Sequence, residues 1–170
     1  DAGRHADAHA TLSAALERQP DQPELLYEVA LLAEKLGRAD ELESRLRRLI
    51  EIKPDHAHAL NALGYSLADR NIRLGEARML IERALELAPN DPFILDSKGW
   101  LLFRQGEPQA ALEVLNQAFG IRPDPEIAAH LGEVLWALGR RDEARQTWDK
   151  ARKDHPANEA LAETVKRLQP

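Results

Sequence analysis

Prolines recur along the chain at nearly constant spacing, and this regularity constrains the fold more than any other feature. Pro20, Pro54, Pro89, Pro123 and Pro156 are separated by 34, 35, 34 and 33 residues. A fixed period of this length is typical of repeat architectures, in which each unit must stack on its neighbours because it cannot bury its apolar face alone. The sequence therefore predicts an array of similar units.

Residues 89–123 show what one unit contains. Asp91 followed by Pro92 indicates a helix start, because a carboxylate can cap the first turn and proline lacks the N–H that would have no partner there. Apolar residues then recur at the helical period until Gly106, and a second helix begins near Pro108. The unit is predicted to be a helix–turn–helix pair.

Small residues recur at matching positions of three units. Glycine holds one position of the first helix and alanine one position of the second: Gly64 with Ala77, Gly99 with Ala111, and Gly132 with Ala144. A small residue at these positions lets the two helices approach closely. The pattern resembles the tetratricopeptide repeat family over essentially the whole chain. This resemblance implies an all-α, right-handed superhelical solenoid.

The proline period also predicts how the chain is divided. It gives a partial repeat at 1–20, full repeats at 21–54, 55–89, 90–123 and 124–156, and a terminal segment at 157–170. The amphipathic pattern from Asn158 to Leu168 predicts a capping helix. The partial repeat places Gly3 at an inter-helix turn and lacks a first helix. We therefore expect a fragment of a longer protein that includes, or lies close to, the carboxyl end of its array.

Two local features predict contacts outside the repeat pattern. Without a preceding helix, Leu12, Ala15 and Leu16 are expected to be partly exposed and to dock on an upstream repeat or on another copy of the chain. The second full repeat has one extra residue between its helices, which places a longer loop around residues 69–75. This loop is either a contact site or a tolerated insertion.

Composition argues against several classes of partner. The 170 residues carry a formal net charge of −6, from 23 basic and 29 acidic side chains of interspersed sign. A nucleic-acid partner would require a basic patch, and the cluster of Arg45, Arg47 and Arg48 is offset by nearby glutamates. No apolar run approaches the ~20 residues that a membrane span needs. Because cysteine is absent, disulfides and thiolate metal sites are excluded.

No catalytic or cofactor motif is present in the sequence. G-x-S-x-G, H-E-x-x-H and a glycine-rich phosphate loop are all missing, so we predict a protein that is not an enzyme and has no cofactor. His5 and His9 have a spacing that can chelate a metal, but no third ligand is evident. We interpret them as exposed histidines, and His130 as an isolated one.

A binding surface follows from the family resemblance. In tetratricopeptide repeat proteins the first helix of each pair lines a concave groove, and the matching positions include Glu24, Glu34, Glu126 and Ala129. The candidate partner-binding residues are Tyr27, Leu31, Lys35, His58, Asn61, Tyr65, Asp69, Phe93, Asp96, Trp100, Phe103, Arg104, Glu133 and Trp136.

Aromatic side chains concentrate on this face. It carries six of the eight in the chain, and aromatic anchors beside polar groups suit a peptide interface. Alternatively, some rings pack between adjacent first helices. We expect groove exposure for Trp100 and Tyr65, and less for Phe93 and Trp136. The full Lys/Asn clamp of chaperone-binding members is absent, so an extended or helical partner segment held by apolar contacts is expected.

Residues 55–156 carry a narrower resemblance. The runs ALNALGYSLADR at 59–70, DPFILDSKGWLLFRQG at 91–106 and PDPEIAAHLGEVLWALGRRDEA at 123–144 look like the carboxyl-terminal repeats of Gram-negative tetratricopeptide proteins. Some of those are outer-membrane lipoproteins facing the periplasm, and one is the adaptor of a carboxyl-terminal processing protease. The resemblance implies the periplasm or the periplasmic face of the outer membrane, with the cytoplasm as the alternative.

Three functions are compatible with these features. The leading hypothesis is an interaction scaffold or adaptor that binds a polypeptide in the groove, linked to a bacterial envelope protease or assembly complex. The first alternative is a regulatory or substrate-docking segment of a larger enzyme. The second alternative is an architectural or oligomerisation module.

Overall fold

The computed structural model describes residues 2–168, and this part of the chain contains ten α-helices and no strand. The predicted all-α fold is confirmed. The helices are α1 (Ala2–Arg18), α2 (Pro23–Lys35), α3 (Ala39–Ile52), α4 (Ala57–Asp69), α5 (Leu74–Leu87), α6 (Pro92–Arg104), α7 (Pro108–Ile121), α8 (Pro125–Ala137), α9 (Arg141–Asp154) and α10 (Glu159–Leu168).

The helices form antiparallel pairs that stack into a solenoid. The pairs are α2 with α3, α4 with α5, α6 with α7, and α8 with α9, and each helix also contacts the next one along the chain. The first helices α4, α6 and α8 contact one another in sequence order. Helix α10 takes the place of a further first helix, since it packs on α8 and α9. It covers the last repeat as a capping helix would.

Side-chain caps fix where several helices begin. Asp91 Oδ1 accepts hydrogen bonds from the backbone N–H groups of Phe93 and Ile94, at 2.9 and 3.1 Å. Asp124 caps α8 in the same way, and Asn158 caps α10 by accepting from the backbone N–H of Leu161 at 2.8 Å. Such caps satisfy donors that have no partner within the helix.

The recurrent glycines lie where the two helices of a pair touch. A Cβ atom at Gly64 would lie 2.7 Å from Ile81 Cγ1, and one at Gly99 would lie 2.5 Å from Leu115 Cγ. A Cβ atom at Gly132 would collide with the indole of Trp148. The predicted close approach of the helices is confirmed at all three positions.

The extra residue of the second full repeat lies in the α4–α5 loop, as the spacing predicts. The other three repeats turn at Gly37, Gly106 and Gly139, which have φ angles of +70°, +83° and +78°. In the longer loop, Asn71 and Arg73 take the left-handed conformation instead, with φ of 55° and 46°. A second left-handed residue therefore accommodates the insertion, at a conformational cost that glycine avoids.

The amino-terminal helix differs from its prediction in two respects. Gly3 lies inside α1 rather than at a turn, because α1 continues back to Ala2. Leu16 is only 3% exposed and joins the core cluster that includes Leu26, while Leu12 packs partly against the same cluster. The expected exposure of Leu16 is therefore wrong, and self-association through this helix stays a prediction.

His9 is a contact between helices rather than an exposed side chain. It is 7% exposed, and its Nε2 lies 3.1 Å from Glu41 Oε2 while its Nδ1 lies 3.3 Å from Arg38 Nη1. The described residues include no group of three His, Asp or Glu side chains arranged to hold a metal. Between residues 2 and 168, no helix combines the length and apolar character needed to cross a membrane.

The arginines of α3 are paired on the outer face, as expected. Arg47 donates to Glu43 at 2.8 Å and to Glu76 at 2.7 Å, and Arg48 donates to Asp21 at 2.8 Å. The hydrogen bond from Arg73 Nη2, at 2.6 Å, is the main reason that the pKa of Glu43 falls to about 2. This surface is occupied by ion pairs and is not a free basic patch.

Candidate functional site

The first helices form a concave face with two adjoining cavities, which together we call the groove. The carboxyl-side cavity, of about 410 Å³, lies between α4, α6, α8 and α10, and the amino-side cavity, of about 350 Å³, lies between α2, α4, α6 and α8. Both are lined by Tyr65, Glu126 and His130, so they share one wall.

A cluster of five side chains, here called the central cluster, lies at and around that wall and consists of Tyr65, Asp69, Asp96, Trp100 and His130. His130 stacks on Trp100 with ring centroids 4.3 Å apart, and its Nδ1 lies 2.9 Å from both carboxylate oxygens of Asp96. Tyr65 Oη lies 3.3 Å from His130 Nε2, and Trp100 Nε1 donates to Asp69 Oδ1 at 3.1 Å. The central cluster therefore joins α4, α6 and α8 at the bottom of the groove.

The surrounding carboxylates favour protonation of His130. Burial is the largest single influence and acts to lower its pKa, but the charge of Asp96 and its hydrogen bond to the ring outweigh burial, with help from Asp69 and Glu133. The pKa of His130 is therefore raised above its ordinary value. The pKa of Tyr65 is also raised, first by burial and then by nearby carboxylates. The phenol stays neutral, and a protonated imidazole can donate to both Asp96 and Tyr65.

The groove contains ten of the fourteen predicted site residues. Those lining the two cavities are Tyr27, Leu31, His58, Asn61, Tyr65, Asp69, Phe93, Asp96, Trp100 and Glu133. Lys35, Phe103, Arg104 and Trp136 line neither cavity. Phe103 packs beside Trp100 at 5.4 Å between centroids, and Trp136 packs on Trp148 at 5.8 Å.

The exposure of Trp100 and Phe93 reverses the order expected for them, while Tyr65 and Trp136 are both half-buried. Trp100 is only 5% exposed, because His130 and Phe103 flank its ring and Asp69 accepts from its N–H. Phe93 is 39% exposed at the first turn of α6, with the guanidinium of Arg122 5.2 Å from its ring centre. Phe93 is therefore accessible to a partner, while Trp100 is mainly a packing residue with one edge on the carboxyl-side cavity.

Sequence reasoning missed one recurring position of the first helices that faces the groove. Ala62, Ser97 and His130 each lie two residues before the recurrent glycine, and all three line the amino-side cavity. Two of the repeats have small residues at this position, so a histidine in the third was a usable signal. The predicted capping helix α10 was not expected to line the groove, yet Glu163, Arg167 and two neighbours line the carboxyl-side cavity.

The charge of the groove is strongly negative. Its two cavities are lined by six carboxylates: Glu34, Asp69, Asp96, Glu126, Glu133 and Glu163. Arg167 is the one lysine or arginine among the described lining residues, and its Nη2 donates to Glu133 at 2.6 Å. Asp96 is paired with His130. Within residues 2–168, the other four carboxylates form no ion pair.

The pKa of Glu34 shows that these carboxylates share one electrostatic environment. Burial is the main reason that the pKa of Glu34 is raised, and the charges of Asp69 and Glu126 add to it while Lys35 opposes it. These acids belong to α2, α4 and α8, three helices of different repeats. The groove therefore concentrates negative charge from several repeats.

Stacked helix pairs with a groove along their first helices define a helical-repeat binding scaffold. Family models described as tetratricopeptide repeat match residues 102–168 and residues 1–41 and 43–92. The chain belongs to the tetratricopeptide repeat family. Proteins of this family generally mediate protein–protein interaction.

Known proteins support this assignment. The chain is 48% identical over 153 residues to the TPR repeat-containing protein PA4667 of Pseudomonas aeruginosa, covering 90% of this chain and 26% of that protein. It is 28% identical over 116 residues to human interferon-induced protein with tetratricopeptide repeats 2, covering 65% of this chain and 25% of that protein. The chain thus spans about a quarter of the length of these curated relatives.

A solved structure shows the same arrangement along nearly the whole chain. TTC0263, a thermophilic TPR protein of Thermus thermophilus, superposes with a TM-score of 0.84 at 26% identity, covering 98% of this chain and 91% of that one. The crystal structure of MamA superposes with a TM-score of 0.66 at 20% identity, covering 89% and 88%. The likeness to MamA shows the fold alone.

Proposed function

We propose that this chain is an adaptor that holds a polypeptide segment of a partner protein in the groove. The observation that carries the proposal is the extent of the groove. Its two cavities share a wall, and their lining runs from Tyr27 on α2 to Arg167 on α10. A continuous lining contributed by five helices suits a stretch of chain better than a compact small molecule.

The groove has the chemical groups that peptide recognition needs. Phe93 is an accessible aromatic anchor at its edge. Asn61 Oδ1 is buried beside the amino-side cavity and has no hydrogen-bond partner among the described residues. A buried acceptor without a donor is unfavourable, and a backbone N–H of a bound segment would satisfy it. The central cluster is already packed before binding, which lowers the ordering cost.

The cellular setting of the adaptor is a further part of the proposal. We place it with an envelope protease or an envelope-assembly complex of a Gram-negative bacterium. Two observations support this setting: the resemblance of residues 55–156 to Gram-negative tetratricopeptide proteins, and the 48% identical relative in Pseudomonas aeruginosa. In this role the groove would present one protein to another, without chemistry of its own.

Site-specific photo-cross-linking tests the groove directly. Ala160 is an exposed residue that lines the carboxyl-side cavity, and Glu113 is an exposed residue of α7 that lines neither cavity. Each would be replaced by p-benzoylphenylalanine, and the chain irradiated in soluble and envelope fractions of a Gram-negative bacterium. We expect a protein product from position 160 and not from 113, and weaker cross-linking when Phe93→Ala is added. Equal products from both positions would contradict groove binding.

A second candidate function is substrate docking within a larger enzyme. The chain spans about a quarter of its curated relatives, and it superposes on an O-GlcNAc transferase of Thermobaculum terrenum with a TM-score of 0.63 at 26% identity. The superposition covers 66% of this chain but only 22% of that enzyme. Cross-linking in the full-length protein separates the two functions, because a docked substrate would be recovered chemically altered and an adaptor's partner would not.

A further inference from the structure

We infer that the bound segment is basic and that one of its arginine side chains enters the carboxyl-side cavity, between Asp69, Glu126 and Glu163 and beside the central cluster. This inference rests on the proposed function, and it names the chemistry of the partner. It differs from the sequence-based expectation of a segment held mainly by apolar contacts.

Charge complementarity is the first argument. Asp69 on α4, Glu126 on α8 and Glu163 on α10 line one cavity from three sides, and none of them forms an ion pair within residues 2–168. Carboxylates that face a shared space repel one another, and a cation placed between them removes that repulsion. The influence of both Asp69 and Glu126 on the pKa values of Glu34 and Tyr65 supports their convergence.

The same charges exclude an acidic occupant. Arg167 is the one arginine or lysine among the described residues that line the two cavities, and Glu133 already engages it in a bidentate pair at 3.0 and 2.6 Å. A terminal carboxylate or an acidic segment would therefore meet four unpaired carboxylates without a free cation. Such a like-charge arrangement rejects the wrong partner as well as favouring the right one.

The shape of the cavity wall favours arginine over lysine. Tyr65 supplies aromatic surface, Trp100 contributes one edge, and the unpaired carboxylates supply several acceptors from three helices. A guanidinium group is planar, carries five N–H donors and stacks on aromatic rings, whereas an ammonium group is a compact point charge with three donors.

Selection from a random dodecapeptide phage library against the 170-residue chain tests the inference. The groove variant combines Asp69→Asn, Glu126→Gln and Glu163→Gln, which remove charge while keeping size and keeping an oxygen for the Trp100 N–H. The matched control combines Glu17→Gln, Glu113→Gln and Asp149→Asn, three exposed residues outside both cavities. Both variants change the net charge by the same amount, so a general electrostatic effect appears in both.

We expect arginine to be enriched in peptides selected on the parent and on the control, but not on the groove variant. For the best peptide, replacing that arginine with glutamine should raise the Kd about tenfold or more, measured by fluorescence anisotropy. Replacing the same arginine with lysine should restore only part of the affinity that glutamine loses. Higher salt should weaken binding to the parent more than to the groove variant.

The failures of the two proposals are distinguishable. Peptides that cross-link to position 160 but show no arginine enrichment would overturn the basic-segment inference and leave groove binding intact. Lysine peptides that bind as tightly as arginine peptides would overturn the assignment of arginine. Peptides that bind the groove variant and the parent equally and fail to cross-link at position 160 would overturn both, as would a selection that enriches no peptide.

Discussion

The imidazole of His130 lies against the indole of Trp100, with ring centroids 4.3 Å apart and planes inclined by 21°. The two residues belong to consecutive repeats, and Trp100 in turn donates to Asp69 of the repeat before. A ring stack and a hydrogen bond therefore connect three repeats at the bottom of the groove. In a solenoid whose units contact mainly their neighbours, such a connection makes packing at the bottom of the groove part of the stability of three repeats.

The pairing of His130 with Asp96 predicts a pH-dependent contribution to stability. The folded state raises the pKa of His130 above 6.5, so the folded chain binds more protons than the unfolded chain above that pH. The resulting stabilisation is fully present below about pH 6.5 and is lost as pH rises through the raised pKa. Asp96→Asn should therefore cost more at pH 5.5 than at pH 8.5, with a difference of about 1 kcal/mol in the free energy of unfolding.

Two measurements check this prediction. Urea unfolding gives the free-energy difference at each pH, with Glu113→Gln as a control for removal of an exposed carboxylate. NMR titration of the imidazole should give a pKa above 6.5 in the parent and a lower value in Asp96→Asn, since burial would then act with less opposition. An equal cost of Asp96→Asn at both pH values would contradict the prediction, because the charge of the ring would then be the same at both.

The close helix approach at Gly99 predicts that a single methyl group is harmful there. Gly99→Ala should lower the free energy of unfolding by about 1–3 kcal/mol, because its Cβ would lie 2.5 Å from Leu115 Cγ and 2.8 Å from Leu115 Cδ2. Gly120→Ala is the matched control, since a Cβ there meets no atom within 4 Å. It should stabilise the chain by roughly 0.5–1 kcal/mol through helix propensity. Stabilisation by both substitutions would mean that helix propensity, and not packing, decides the effect at Gly99.

The fold was predictable from the sequence because each repeat has its own local signals. Asp91-Pro92 and Asp124-Pro125 mark helix starts through short-range capping, and both carboxylates cap as expected. Gly99 marks a helix contact that the repeat period copies along the chain. These signals depend on residues close in sequence, so they can be recognised in the sequence of this chain alone.

The groove was less predictable, because its contacts join residues of different repeats. His130 meets Asp96 across 34 positions and Tyr65 across 65, so nothing near it in sequence indicates a partner. Trp100 was expected in solvent because its register faces the groove, yet a histidine from the next repeat covers its ring. Register places a side chain on a face, but only the neighbouring repeat decides whether that face is covered.

The ion pairs around Glu43 predict a loss of stability in acid. The pKa of Glu43 falls to about 2 in the folded chain, mainly through the hydrogen bond from Arg73. A lowered pKa stabilises the folded state above the ordinary value of 4.5, and this stabilisation is lost as pH falls from about 4.5 towards 2. Glu43→Gln should therefore destabilise the chain near pH 6 and have little effect near pH 2.5.

Urea unfolding at several pH values checks the role of Glu43. Asp149→Asn is the matched control, because Asp149 is exposed and forms no ion pair among the described residues. Its effect should be small at every pH. A cost of Glu43→Gln that stays constant down to pH 2.5 would show that lost packing, and not the carboxylate charge, is responsible.

The pair of Arg167 and Glu133 predicts how α10 is held at the end of the groove. Glu133 is 9% exposed on α8, and both of its oxygens accept from the Arg167 guanidinium of α10. Arg167→Ala would leave the carboxylate largely buried without its cation, so we expect a cost of about 1 kcal/mol or more. Lys166→Ala removes an exposed neighbour and should change stability by about 0.5 kcal/mol or less. Hydrogen exchange should accelerate in α10 for Arg167→Ala and not for Lys166→Ala, whereas equal protection in both would show that Leu161 and Val165 alone hold the cap.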